Sequence, residues 1–420
     1  MWSSGPQMRI PFVSCAGAFC AILFTALPGF AAGSDWFQWG GPHRNFTSDA
    51  TGLASSWPAE GPKQLWKRTL GDGYSAISVD QGKLFTMYRK GEQEVAIALD
   101  AKTGATVWET AWDAPFLKGQ DMTNGPGPHS APLVLNGRVF VTGVTAKLHA
   151  LDAKSGKILW THDLTSEYAA TLRVNGYACS PIAYGGNILV TAGGPGHALM
   201  AFREADGTLA WASGDFKNSP ASPTLIRIGG QDQLVASFWD DIAGFDPSNG
   251  KLLWSIPNRI EFGLNVSTPV FGPDNILFFS ASYNGSGRAV QLTNAGGTTT
   301  AEDLFKTSKL RIHFSNAVRV GDVVYGANGE SGVFTAFNVK AGKLLFQDRT
   351  IPRASMLSAD GKLILLDEDG NLILATASET GLNVLAKAPI LVSLARTAPT
   401  LSGTTLFARD RKTIAAYDLR

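Results

Sequence analysis

The sequence predicts an all-β protein: an eight-bladed β-propeller of four-stranded antiparallel blades, its ring closed by an N-terminal strand. Three observations carry this. A hairpin phrase ending in a large aromatic recurs along the chain. A second motif, a hydroxyl residue opening an apolar run, recurs eight times. The last hairpin phrase stops at the C-terminus without its aromatic, and a matching fragment stands near the N-terminus.

Composition agrees with many short strands joined by tight turns. The chain has 420 residues, 44% hydrophobic and 17% charged, so it can bury a large core. It holds 46 glycines, 23 phenylalanines and 11 tryptophans. The net charge is +1 and no run of Lys or Arg stands out, which excludes a nucleic-acid groove driven by counterion release.

The phrase reads IALDAKTGATVW to Trp108, HALDAKSGKILW to Trp160, MAFREADGTLAW to Trp211 and AGFDPSNGKLLW to Trp254. Weaker copies end at Phe346 and Leu385, and a stretched copy ends at Phe305. Each copy has one physical sense. Alternating apolar residues make a strand, an Asp or polar residue starts a turn, and Gly takes the left-handed position. A second strand then ends in the aromatic. A spacing of about 40 to 50 residues fits one four-stranded blade. A blade cannot bury both its faces alone, so neighbours must stack, and the aromatic supplies surface for that.

The hydroxyl starts are Ser75, Ser130, Ser180, Ser222, Ser267, Ser315, Ser355 and Thr397, several followed closely by proline. Proline is tolerated at the first residue of a strand because its missing N–H is not yet needed. Eight starts precede only seven hairpin endings. The fragment GPKQLWKRTL, with Gly61 and Trp66, matches the missing ending. It is therefore expected to supply the outer strand of the last blade and leave no open edge.

The first 31 residues read as an export signal. Arg9 precedes an apolar run from Ala16 to Leu27, then Pro28-Gly29 and small residues, with cleavage after Ala31. Met8 is an alternative start. An uncleaved anchor is the competing reading, although the apolar run is short for a span. Residues 32–61 are expected to form a leading segment packed on the propeller, and residues 62–420 the propeller itself. Trp36, Trp39 and Trp57 are expected to pack its underside. Cys15 and Cys20 fall in the signal segment, so Cys179 alone remains and no disulfide framework forms.

Catalytic patterns are sparse. The stretches GPGPH and AGGPGH read as turns, since no GK[ST] follows. There is no HExxH, and no GxSxG elbow. What remains are polar residues just before the inner strands, where a propeller crowds its channel mouth. The ligand-binding candidates are Tyr74, His129, Arg173, Tyr177, Asn265, His313, Arg353 and Arg396, beside Asp121, Asn124, Asn218 and Asn316. The stretches RIHFSN and NGYACS stand out among them. Cationic and aromatic groups there suit an anionic or planar ligand. The plainer role is to satisfy buried loop backbone.

The aromatic phrase resembles the pyrroloquinoline quinone (PQQ) repeat of eight-bladed quinoprotein dehydrogenases and of the propeller lipoprotein of the outer-membrane β-barrel assembly machinery. The stretches DWFQWGGPHRNFTSDATGLASSWP and LSADGKLILLDEDGNLILA resemble a bacterial exported family of PQQ-binding-like propellers. For a dehydrogenase, the resemblance implies PQQ on the channel axis under a vicinal Cys-Cys disulfide and over a Trp. It also implies Ca²⁺ held by Glu, Asn and Asp, and a catalytic Asp. This chain has no Cys-Cys pair and no CxxCH, and no metal-ligand set can be matched to it. The expectation is thus a periplasmic or secreted, non-catalytic binding or scaffold module, monomeric, with no metal and no catalytic residue. It would take a protein partner or small ligand at a propeller face, no nucleic acid, and keep no membrane span after cleavage. The alternatives are a dehydrogenase using PQQ with Ca²⁺ on an alcohol or sugar, and a carbohydrate-binding or carbohydrate-processing module.

Overall fold

The computed structural model describes residues 35–123, 125–392 and 394–420, together with Met1, Trp2 and Gly5. The expected signal segment, with Cys15 and Cys20, lies outside the described residues, as does Asn124. The described residues from 35 to 420 form one compact unit.

The described strands make eight sheets of four strands, one of which gains a short fifth strand. Blade 1 runs through Ser78–Asp80, Lys83–Lys90, Gln93–Asp100 and Thr106–Asp113. The innermost strands of blades 2 to 8 are Leu133–Leu135, Ile182–Tyr184, Thr224–Ile228, Val270–Phe271, Val318–Val320, Ala354–Ala359 and Thr400–Ser402. All blades are antiparallel meanders, as the hairpin phrases predict.

Ring closure follows the sequence expectation. Lys63–Thr69 pairs antiparallel with Thr413–Asp418 and becomes the outer strand of blade 8. Arg409 locks the seam. Its fully buried guanidinium donates to the carbonyls of Gly73, Ser75 and Met87 and to the Thr86 hydroxyl, all in or beside blade 1. Burial lowers its pKa to about 10.

The recurring phrase is a blade-to-blade clasp. Asp100 accepts hydrogen bonds from the backbone of Lys102 and Thr103, and the chain then turns through Gly104 at φ +68°. The Trp66 ring of blade 8 lies on that glycine. A Cβ at Gly104 would sit 2.6 Å from it. Trp66 also donates to the Ala101 carbonyl at 2.9 Å. The clasp repeats with Trp108 on Gly156 and Trp160 on Gly207, each indole donating to the next blade's turn. Trp211 on Gly250 and Phe305 on Gly342 keep the contact with the glycine. Glycine is required twice over at these positions, by its positive φ and by the ring upon it.

The inner-strand hydroxyls stitch neighbouring blades. Ser180 Oγ accepts from Ala131 N–H and Ser222 Oγ from Ser180 N–H, both at 2.9 Å. Asn316 exchanges two hydrogen bonds with the Met356 backbone, and Thr400 donates to the Ile77 carbonyl. Each of these polar groups is buried and paired, which such groups require.

The segment from Asp35 to Ala54 threads under several blades. The carbonyls of Trp36, Phe37 and Phe46 accept from the N–H groups of Val79, Val134 and Ser358 at 2.8 to 2.9 Å. Thr47–Ser48 then pairs parallel with the inner strand of blade 7. Ala54 donates to the Leu419 carbonyl of blade 8.

Candidate functional site

Because each inner strand starts at the same end of the ring, the residues preceding those strands converge on the channel axis. They enclose a cavity of about 200 Å³. Of the eight ligand-binding candidates, Tyr74, His129, His313 and Arg396 line it, with Asp121 and Asn316 beside them. Tyr74 stacks on His129, ring centroids 6.3 Å apart. His313 contacts Phe314 and Tyr283, whose hydroxyl lies 3.4 Å from its Nε2. The Arg396 guanidinium lies 4.9 Å from the Phe314 ring centre.

The other four candidates serve elsewhere. Tyr177 points into the interface between blades 2 and 3, among Leu148, Cys179 and Val190. Asn265 is buried and holds its own loop, donating to the Phe238 carbonyl and accepting from Asn258. Arg173 lies 4.4 Å from the Trp239 ring centre and reaches the Gly263 carbonyl. Arg353 pairs with Glu368 and donates to the Gly329 carbonyl. Asn218 is buried too, near the Cys179 thiol. Residues before an inner strand alternate between the axis and the blade interface, and spacing alone does not tell which is which.

The structure adds Trp39, Phe314 and Tyr283 to the lining. Trp39 packs edge-on against Phe46 and donates its indole N–H to Thr268 Oγ1 at 2.8 Å. It therefore reaches the axial cavity as well as packing beneath the blades. The sequence signal for it is the doubled tryptophan of DWFQWGG.

Electrostatically the site's charges balance, and its arginines are internally paired. Glu368 accepts from both Arg353 and Arg396. Asp72 is tied to Arg411 by two hydrogen bonds. Burial, reinforced by Arg353 and Arg396, lowers His313 to about 4, so it is neutral at physiological pH. Burial raises the Tyr74 phenol. Asp121 is held below the usual carboxylate range by Thr123 and Asn175.

These residues do not fit PQQ with Ca²⁺. Calcium needs several oxygen ligands, some anionic. The carboxylates in and beside the cavity are committed: Glu368 to two arginines, Asp72 to Arg411, and Asp121 to Thr123 and Asn175. Among the described residues no three His, Cys, Asp or Glu side chains come together so as to hold a metal ion. A divalent cation would instead meet Arg396 and the neutral face of His313.

An eight-bladed ring clasped by Trp-on-Gly contacts, with its axial cavity built from strand-start residues, defines a propeller of the PQQ-repeat class. A family model described as outer membrane protein assembly factor BamB matches residues 91–343. The chain belongs to that family. It is 24% identical over 368 residues to an outer membrane protein assembly factor BamB of Burkholderia pseudomallei, covering 77% of this chain and 90% of that protein. A BamB of Yersinia pestis is 25% identical, covering 69% and 73%. A quinohemoprotein alcohol dehydrogenase of Pseudomonas putida, ADH-IIG, is 24% identical over 40% of this chain and 23% of that enzyme. The BamB structure from Moraxella catarrhalis superposes with a TM-score of 0.61 at 17% identity, covering 85% of this chain and all of that one. That of ADHIIG from Pseudomonas putida HK5 gives 0.66 at 14%, covering 92% and 80%.

Proposed function

We propose that this protein is an exported scaffold of outer-membrane protein assembly that binds protein partners and carries out no reaction of its own. The family match, spanning blades 1 to 6, carries the reading. The site supports it: Glu368 and Asp72 are tied up in ion pairs and Asp121 in hydrogen bonds to Thr123 and Asn175, and among the described residues nothing there is arranged as a general base beside a cation. The apolar run of the first 31 residues supports export to the periplasm, and intact mass of the exported protein should show a loss of about 31 residues.

The test is genetic and biochemical. Deletion in the host should lower the amounts of outer-membrane β-barrel proteins, and the tagged chain should capture components of their assembly machinery. An unchanged outer-membrane profile together with an empty capture overturns the proposal. A quinoprotein dehydrogenase is the second reading, favoured by the shared fold. Titration with PQQ, with and without Ca²⁺, should show no Ca²⁺-dependent dye-linked oxidation of alcohols or sugars. Turnover would make the protein an enzyme.

A further inference from the structure

The inner strand of each blade has one edge paired to its own blade and one edge facing the axis. In blades 1, 2 and 7, the leading segment covers that free edge at one equivalent position. Val79, Val134 and Ser358 each lie one pair before a two-residue hairpin turn, opposite Leu84, Val139 and Leu363. At such a place in an antiparallel pair the N–H points away from the partner strand. All three N–H groups donate to carbonyls of the leading segment.

Blades 3 and 4 repeat the geometry without the cover. Ala183 lies opposite Ile188 and Arg227 opposite Asp232, again one pair before a two-residue turn. Among the described residues, neither N–H has a backbone partner. Both residues are more exposed than the buried Val79 and Val134. They border a groove of about 610 Å³ that continues to Phe271 of blade 5 and is walled by His43 and Arg44 of the leading segment.

Charge gives the groove a preference. His43 is paired with Asp49. Arg227 is paired with Asp232, which also accepts from the Tyr184 hydroxyl. Arg44 is half-buried and donates to Gln38, and it has no carboxylate partner among the described residues. Burial lowers its pKa, so a carboxylate alongside it would relieve a desolvated cation.

We propose that this groove docks an extended acidic peptide segment of a partner protein. The segment continues under blades 3 and 4 the edge pairing that the leading segment makes under blades 1, 2 and 7. Its carbonyls accept from Ala183 and Arg227, and its carboxylate meets Arg44. Strand addition supplies affinity through the main chain, and the arginine supplies selectivity. The inference is independent of the assembly role proposed above, since it rests on the unpaired edges and on Arg44.

The test is fluorescence anisotropy on the full-length exported protein. The probe is a labelled octapeptide in which Val and Thr alternate around one central Glu. Its Gln counterpart should bind about tenfold more weakly, because a charge-assisted hydrogen bond is lost. Arg44→Gln should abolish that difference. Ala183→Pro removes the donor at a free edge, where proline is tolerated, so it should lose the peptide while keeping the wild-type melt. A backbone N-methylated peptide should not bind. The proposal is overturned by no binding of the Glu peptide, or by binding that Ala183→Pro and Arg44→Gln leave unchanged. It is equally overturned if sedimentation shows a dimer that Ala183→Pro dissolves, since the groove would then serve a second copy of this chain.

Discussion

Trp66 is the sharpest point at which to test ring closure. Its indole is buried against Gly104 and Phe407 and donates to the Ala101 carbonyl. Replacing it with alanine removes a ring clasped between the last blade and the first. Truncating a buried tryptophan costs about 3–5 kcal/mol, and the lost hydrogen bond to Ala101 falls within that range. An unfolding entropy of about 2.1 cal/mol/K per residue over roughly 385 residues gives ~0.8 kcal/mol/K, so the melting temperature should fall by about 4–6 °C. Differential scanning calorimetry measures this directly. Leu65→Ala, at a half-exposed position on the same strand, is the control and should shift the melt by less than about 1 °C. Equal small shifts for both variants would refute the closure argument, because they would mean that the seam bears no load.

Other perturbations follow from the same contacts. Gly207→Ala places a Cβ 2.8 Å from the Trp160 ring at φ +77°; overpacking and left-handed strain together should cost about 2–4 kcal/mol in a denaturant titration. Arg409→Leu removes one donor from each of four buried acceptors at the seam and should destabilise by about 3–5 kcal/mol, read by calorimetry. His149 and His313 are both lowered to about 4, chiefly by burial. Folded, they stay neutral while the unfolded chain takes up protons below about pH 6.5, so stability should decline from pH 6.5 to 4. His129 is lowered to about 4 by burial as well, so changing His129, His149 and His313 together to Gln should flatten that slope in melts across the window. The buried Cys179 thiol, pushed up to about 12, should resist an aromatic disulfide reagent at pH 8 and react once the protein is unfolded in urea.

The ring was legible because its contacts are written as repeats. Trp66, Trp108 and Trp160 recur with their glycines since every blade docks the next in the same way. The seam was legible for the same reason, as a phrase with its ending displaced. Arg409 was not, because a single arginine inside LFARD resembles any strand residue until its neighbours across the seam are known. Half of the axial site was legible: Tyr74, His129, His313 and Arg396 do border the cavity. Tyr177 and Asn265 occupy equivalent stretches but turn into blade interfaces and loops. One residue of rotation separates the two fates. The sequence places Trp39 at the underside alone, because the path of the leading segment is set by long-range pairing with blades 1, 2 and 7.

The Arg409–Gly73 hydrogen bond joins residues 336 positions apart in the chain. Its meaning is temporal. Lys63–Thr69 emerges early in synthesis yet finds its place late, since its partner, Thr413–Asp418, follows the strands of blades 1 to 7. Until then Lys63–Thr69 must travel unpaired beside seven nascent blades. Pairings so distant in sequence form slowly. A chain synthesised from its N-terminus therefore makes its own fastener early and holds it open until Thr413–Asp418 follows. Without Thr413–Asp418 the ring could not shut, and Lys63–Thr69 and Thr405–Arg409 would be left as two raw strand edges.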